Sequence, residues 1–287
     1  MFGFLTSTNH PPETSGPRFL TRRIPGVLER SPAMRKARFV ALVTLLALGL
    51  GMCTTVGADA AQERTWCSRK DSVAILGTSA DTGYATTDYR SATDTYAPTT
   101  YGWTTKFAND LHAEWGTETR NHSHNGALAA DYLPGGRWAD TTGALADLRA
   151  HTPDLVLVDL GGNELISQAD PAKFRADLEK VIDGIRAARP GVDILMSIYA
   201  ELKWTPNPYG GSVLRYTWDQ YASVIHQTAV AKGTALVDLR QYIPPAGSAN
   251  LPNPSPWNAD GIHLNDAGNL AEYGMWWGWT SSIGSIC

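Results

Sequence analysis

Short apolar runs, each closed by glycine or a polar cluster, alternate along this chain with stretches of helical spacing. Val73-Ala-Ile-Leu-Gly77, Leu155-Val-Leu-Val-Asp-Leu160, Ile194-Leu-Met-Ser-Ile-Tyr199 and Ala235-Leu-Val-Asp238 are the runs. Unbroken apolar runs of this length fit strands buried on both faces. Thr117–Ser123 is a weaker strand. Between them, Trp103, Phe107, Leu111 and Trp115 repeat at helical spacing, and residues 139–150 form a further predicted helix. Asp170-Pro171 opens the clearest helix, with Phe174, Leu178, Val181, Ile182 and Ile185 on one face and Pro190-Gly191 as its stop. Helices are also predicted over 213–231 and 265–282, and a loop over Thr82–Thr100. Alternating strands and helices imply an α/β fold with a mostly parallel sheet covered on both sides. No internal repeat or long linker divides residues 62–287, so one domain is expected over 61–287.

Residues 1–60 read as a leader. Arg35, Lys36 and Arg38 precede the apolar stretch Phe39–Met52, and Ala58-Asp59-Ala60 offers small residues where a signal peptidase reads, which places cleavage before Ala61. Residues 39–58 lack charge, so an uncleaved membrane anchor is the alternative, weakened by Thr54, Thr55 and two glycines. Met34 is a second possible start. The expected location is extracellular, with no membrane attachment after cleavage. Export gives the cysteines a meaning, because the mature chain keeps only Cys67 and Cys287. A disulfide between them would close a loop of about 220 residues, worth about 5 kcal/mol in the chain-entropy model. Two buried thiols are the alternative.

Charge excludes one class of partner. The leader carries seven basic and three acidic side chains, leaving 17 basic against 25 acidic groups in the remainder. A body of net charge −8 repels a phosphate backbone, so nucleic acid is not an expected partner.

In open parallel sheets the binding crevice lies at the carboxyl ends of the strands. Four polar clusters stand there or just before the last helix: Gly77-Thr78-Ser79, Asn121-His122-Ser123-His124-Asn125-Gly126, Gly161-Gly162-Asn163-Glu164 and Asp260-Gly261-Ile262-His263. Together they have the makings of acyl chemistry. A serine hydroxyl becomes a nucleophile when an imidazole takes its proton, and the imidazole needs a carboxylate on its other nitrogen. Ser79, His263 and Asp260 supply these groups, while the backbone N–H groups of Ser79 and Gly126 and the Asn163 amide supply donors for an oxyanion. The stretch Gly77-Thr-Ser79-Ala-Asp81 lacks the second glycine of the Gly-x-Ser-x-Gly elbow of α/β-hydrolases.

The four clusters, in this order, resemble the SGNH subgroup of the GDSL esterases and lipases. Gly77-Thr78-Ser79 is similar to the family's Gly-Asp-Ser with Thr in place of Asp. Asn121 and Gly126 match its second block, Gly161-Gly162-Asn163 its third with Glu164 in the final position, and Asp260 and His263 its last, so that the likeness spans about residues 72–282. The resemblance implies a flavodoxin-like three-layer α/β/α sandwich and ester hydrolysis through an acyl-enzyme. In that scheme Ser79 is nucleophile, His263 base and Asp260 orienting acid, with Ser79, Gly126 and Asn163 as oxyanion donors. It implies no metal and no organic cofactor. His122 and His124 alternate as strand neighbours and read as two surface histidines rather than a metal pair.

Trp66, Trp103, Trp115, Trp218, Trp276 and Trp277 read as core packing, whereas Trp204, Tyr209 and Trp257 are expected near the crevice as substrate-binding aromatics, joined by Tyr84, Tyr89 and Tyr96. These polar and aromatic loops favour a short acyl group or a carbohydrate ester, handled by a monomer. Two alternatives stand beside this reading: a lipase or acyltransferase using the same triad, and a non-catalytic carbohydrate-binding protein on the same fold.

Overall fold

The computed structural model describes residues 70–200, 202, 214–243 and 256–285. The leader, Cys67, Cys287, Trp66, Trp204 and Tyr209 lie outside the described residues. In chain order the elements are β1 (Ser72–Leu76), α1 (Ser79–Thr82), α2 (Trp103–Trp115), β2 (Glu118–Asn121), α3 (Ala139–His151), β3 (Leu155–Val158), α4 (Gly162–Ser167), α5 (Pro171–Ala188), β4 (Asp193–Ile198), α6 (Trp218–Lys232), β5 (Ala235–Asp238) and α7 (Asp266–Ser285).

The strands pair in the order β2-β1-β3-β4-β5, every pair parallel. The chain first steps from β1 outward to β2, then returns past β1 and continues in the opposite direction. Right-handed crossovers therefore put α2 on one face and α3, α5 and α6 on the other. The packing agrees: α2 lies against α7, while α5 contacts both α3 and α6. This is the expected three-layer α/β/α sandwich, and its switch point falls between β1 and β3, where the crevice of such a sheet opens.

Burial follows the sequence pattern. Val73–Leu76, Leu155–Val158 and Ile194–Met196 are 0–2% exposed, as central strands covered on both faces must be. At the edge, β2 is half-buried along Arg120 and Asn121, which is why its apolar signal is weak. On one face Trp103 of α2 stacks on Trp276 of α7 with ring centroids 5.0 Å apart. On the other, Phe174 of α5 packs against Tyr221 of α6 at 5.9 Å. Each such fully buried side chain contributes roughly 1.5–3 kcal/mol of transfer free energy.

Helix starts obey local chemistry. The Asp170 carboxylate accepts the Ala172 N–H and Pro171 fills the first turn of α5. In α6 the described helix begins at Trp218, later than the periodicity predicts, because Thr217 and Gln220 form a capping box there.

Candidate active site

The turn after β1 presents Ser79. Thr78 is extended and caps α1, its hydroxyl accepting the Ala80 N–H, while the Asp81 carboxylate accepts the Thr78 N–H at 2.6 Å. Asp81 lies so close beneath the turn that a Cβ at position 77 would sit 2.0 Å from its Oδ2, so only glycine fits there. Tyr132 locks the same turn, its hydroxyl accepting the Gly77 N–H at 2.9 Å and donating to the Gly77 carbonyl at 2.6 Å. Burial pushes the Tyr132 phenol well above its ordinary value, which keeps that donor protonated.

A small loop before α7 delivers the other two side chains. Ala259 N–H donates to the His263 carbonyl and Asn265 N–H to the Trp257 carbonyl, closing a turn between them. Within it the Asp260 Oδ1 accepts the Ile262 and His263 N–H groups, each at 2.7 Å. Its Oδ2 lies 2.8 Å from His263 Nδ1, and His263 Nε2 lies 2.9 Å from the Ser79 hydroxyl. Partial burial raises the Asp260 carboxyl, but hydrogen bonds and charge from His263 outweigh it and hold the group down at about 2. An ionised Asp260 can only accept, so in the neutral ring Nδ1 carries the proton and Nε2 is left to take one from Ser79. The geometry therefore joins hydroxyl, imidazole and carboxylate across 184 residues, an arrangement able to activate an oxygen nucleophile.

A small cavity opens over this hydroxyl, lined by Thr78, Ser79, Asp159, Asn163, Tyr199 and His263 on its polar side and by Ala80, Ile166, Leu202 and Ile262 on its apolar side. One hydrogen of the Asn163 amide is held by the Ala127 carbonyl at 3.0 Å, leaving the other available. Glu164 turns inward from α4, and its Oε1 accepts the Ala129 N–H at 2.7 Å. Asn163 and Glu164 together clamp the chain at 127–129 to the start of α4. Burial raises the Glu164 carboxyl to about 7.

Gly126 stands just behind the residues that line the cavity, next to Ala127, whose carbonyl holds the Asn163 amide. It sits in the turn between His124, whose N–H reaches the Gly77 carbonyl, and Ala127, which holds Asn163. Its φ of +77° is a left-handed conformation that favours glycine. Among the described residues, neither the Gly126 N–H nor the Ser79 N–H has a partner.

Trp257 is half-buried against the core, not in the cavity, and its carbonyl braces the His263 loop. Of the tyrosines, Tyr84 lies against the His263 ring at 4.6 Å and Tyr89 meets Tyr84 edge-on at 5.7 Å. Tyr96 instead anchors its loop to Thr105 of α2. His122 and His124 are not surface histidines. His122 is mostly enclosed with Nε2 on Asp147 of α3, and His124 is buried against Trp138. Tyr132 and Glu164 act here in ways the sequence reading does not assign.

The model of the GDSL-like lipase/acylhydrolase family matches residues 75–271. The chain belongs to this family. Its class of chemistry is accordingly carboxylic ester hydrolysis. None of the curated proteins compared with it matches. Solved structures share the GDSL-type architecture. A carbohydrate acetylesterase from Sinorhizobium meliloti is similar with a TM-score of 0.56 at 18% identity, over 76% of this chain and 100% of its own. An M. smegmatis aryl esterase reaches 0.55 at 19%, over 76% and 100%. An extracellular lipase from Streptomyces rimosus reaches 0.51 at 19%, over 70% and 96%. At such identities the likeness concerns the fold.

Proposed function

We propose that the chain is an extracellular serine esterase that hydrolyses short-acyl or carbohydrate esters through an acyl-enzyme. The observation that carries this reading is the 2.9 Å approach of Ser79 Oγ to His263 Nε2, with Asp260 on the other ring nitrogen. Ser79 attacks the ester carbonyl as His263 takes its proton. The carbonyl oxygen becomes an oxyanion that accepts from the Ser79 and Gly126 N–H groups and the Asn163 amide. Collapse expels the alcohol, which His263 protonates, and water activated by the same imidazole then releases the acid.

A short acyl group is favoured by the cavity, which is narrow and whose apolar wall is limited to a few side chains. The aromatic surface of Tyr84 beside His263 suits the face of a sugar ring. The S. meliloti neighbour is a carbohydrate acetylesterase, which agrees with this preference. Export is supported by the charged and apolar pattern of residues 35–60, and no described helix is long and apolar enough to cross a membrane.

The test compares the parent with Ser79→Ala on p-nitrophenyl esters of rising chain length, with acetylated xylan alongside. Activity is expected to fall steeply beyond short acyl chains and to vanish in the variant, with loss of fluorophosphonate labelling and an unchanged melting curve. Retained turnover in Ser79→Ala would overturn the nucleophile assignment.

A further inference from the structure

Gly126 is gripped through the two carbonyls on either side of its N–H. The Asn125 carbonyl belongs to the same peptide unit as the Gly126 N–H, and His124 Nδ1 lies 2.9 Å from that oxygen. A carbonyl can only accept, so His124 carries a proton on Nδ1 and donates. The next carbonyl, that of Gly126 itself, accepts from Arg137 Nη2 at 2.7 Å.

Neither side chain is loose. The His124 ring is 6% exposed and lies stacked on the Trp138 indole, centroids 3.8 Å apart and planes 13° from parallel. The Arg137 guanidinium lies over the same indole at 4.0 Å and is forked onto the buried Asp131 through Nε at 2.9 Å and Nη2 at 2.6 Å. Asp131 in turn accepts the Leu128 N–H, tying the assembly to the segment that also receives Asn163.

A peptide whose carbonyl accepts a hydrogen bond becomes a stronger donor at its N–H, because bonds in a chain polarise one another. Here that N–H is unspent within the described residues. We propose that His124, supported by Trp138 and Arg137, is a positioning residue that aims and polarises the Gly126 N–H for the oxyanion. The inference rests on the reading of Gly126 as an oxyanion donor beside Ser79. It gives His124 a role different from both a solvent-facing histidine and a metal ligand, and it gives a purpose to a buried imidazole stacked on an indole.

The experiment uses His124→Leu, which keeps bulk and removes the donor, and His124→Asn, whose amide nitrogen stands near the place of Nδ1. Both are assayed with p-nitrophenyl acetate and with a trifluoromethyl ketone, which binds as an oxyanion adduct. For His124→Leu, kcat is expected to fall about 10- to 100-fold. KM should stay within about twofold, and the ketone should weaken by the same factor as kcat. His124→Asn is expected to recover most of both. Arg137→Lys, which keeps a cation beside Asp131, is expected to lose kcat severalfold with ketone binding falling in step. A His124→Leu enzyme with parental kcat, a loss of kcat without weakened ketone binding, or no rescue by His124→Asn would each overturn the inference. Should Ser79→Ala remain active, the underlying reading fails instead; should it be inert while His124→Leu matches the parent, only the inference fails.

Discussion

Asp260 performs two separable tasks with its two oxygens. Oδ1 holds the loop by accepting two backbone N–H groups, and Oδ2 orients the imidazole. Asp260→Asn should therefore leave the loop closed through its remaining oxygen while presenting an amide N–H to His263 Nδ1. The ring would respond by placing its proton on Nε2, where it cannot accept from Ser79. We expect kcat to fall by about 10³- to 10⁴-fold with a melting temperature close to the parent's, measured by esterase assay and thermal unfolding. Residues of this kind are legible in a sequence because residue type and short spacing carry the signal: Asp260 and His263 stand one turn apart, and Asn163 follows two glycines after a strand. Tyr132 is not legible in that way. A tyrosine in an apolar neighbourhood reads as core, and its bonds to Gly77 span 55 residues. The role of Glu164 is hidden for the same reason, since nothing local announces that its partner is Ala129.

Elements were readable in proportion to their length and burial. Central strands announce themselves by unbroken apolar runs, and α5 by its cap, first-turn proline and apolar stripe. The four residues of α1 and the six of α4 span fewer than two helical turns, too few for a period to repeat and register, although both carry groups that face the cavity. The hold on α4 has a pH dependence that follows from Glu164. Its carboxyl stands at about 7 in the folded chain against an ordinary 4.5, because burial disfavours the charge. The folded state thus binds more protons than the unfolded one between those values, and stability must fall as pH rises across that window, by on the order of 3 kcal/mol. Thermal unfolding from pH 4.5 to 8 should show this decline, and Glu164→Gln should make it shallower by the share of Glu164, while Asp81, Asp159 and Glu272, whose carboxyls burial also raises, keep a decline of the same sign. A slope unchanged in the variant would remove Glu164 as one of its sources. Asp260 acts with the opposite sign: its contribution is complete above the ordinary carboxylate range and is lost only as pH falls toward about 2.

At the scale of the molecule, the parallel sheet separates two rims. The carboxyl ends of β1 and β3 and the loop before α7 carry the reactive groups. The amino ends carry fastenings: Lys70, before β1, forms a buried ion pair with Asp193 at the start of β4, N to O 2.5 Å, and Asp154 accepts the N–H groups of Asp71 and Ser72. Asp193→Ala leaves the Lys70 ammonium buried without its carboxylate, which should cost about 3–5 kcal/mol in chemical denaturation. Turnover of p-nitrophenyl acetate by the folded fraction should stay within about twofold of the parent, since no element of the reactive rim is touched. A matching loss of kcat would show that the two rims are mechanically linked. If they are independent, the far rim is where an engineer can harden the protein against heat, for example by exchanging the ion pair for a packed hydrocarbon pair, and leave its selectivity for esters as it was.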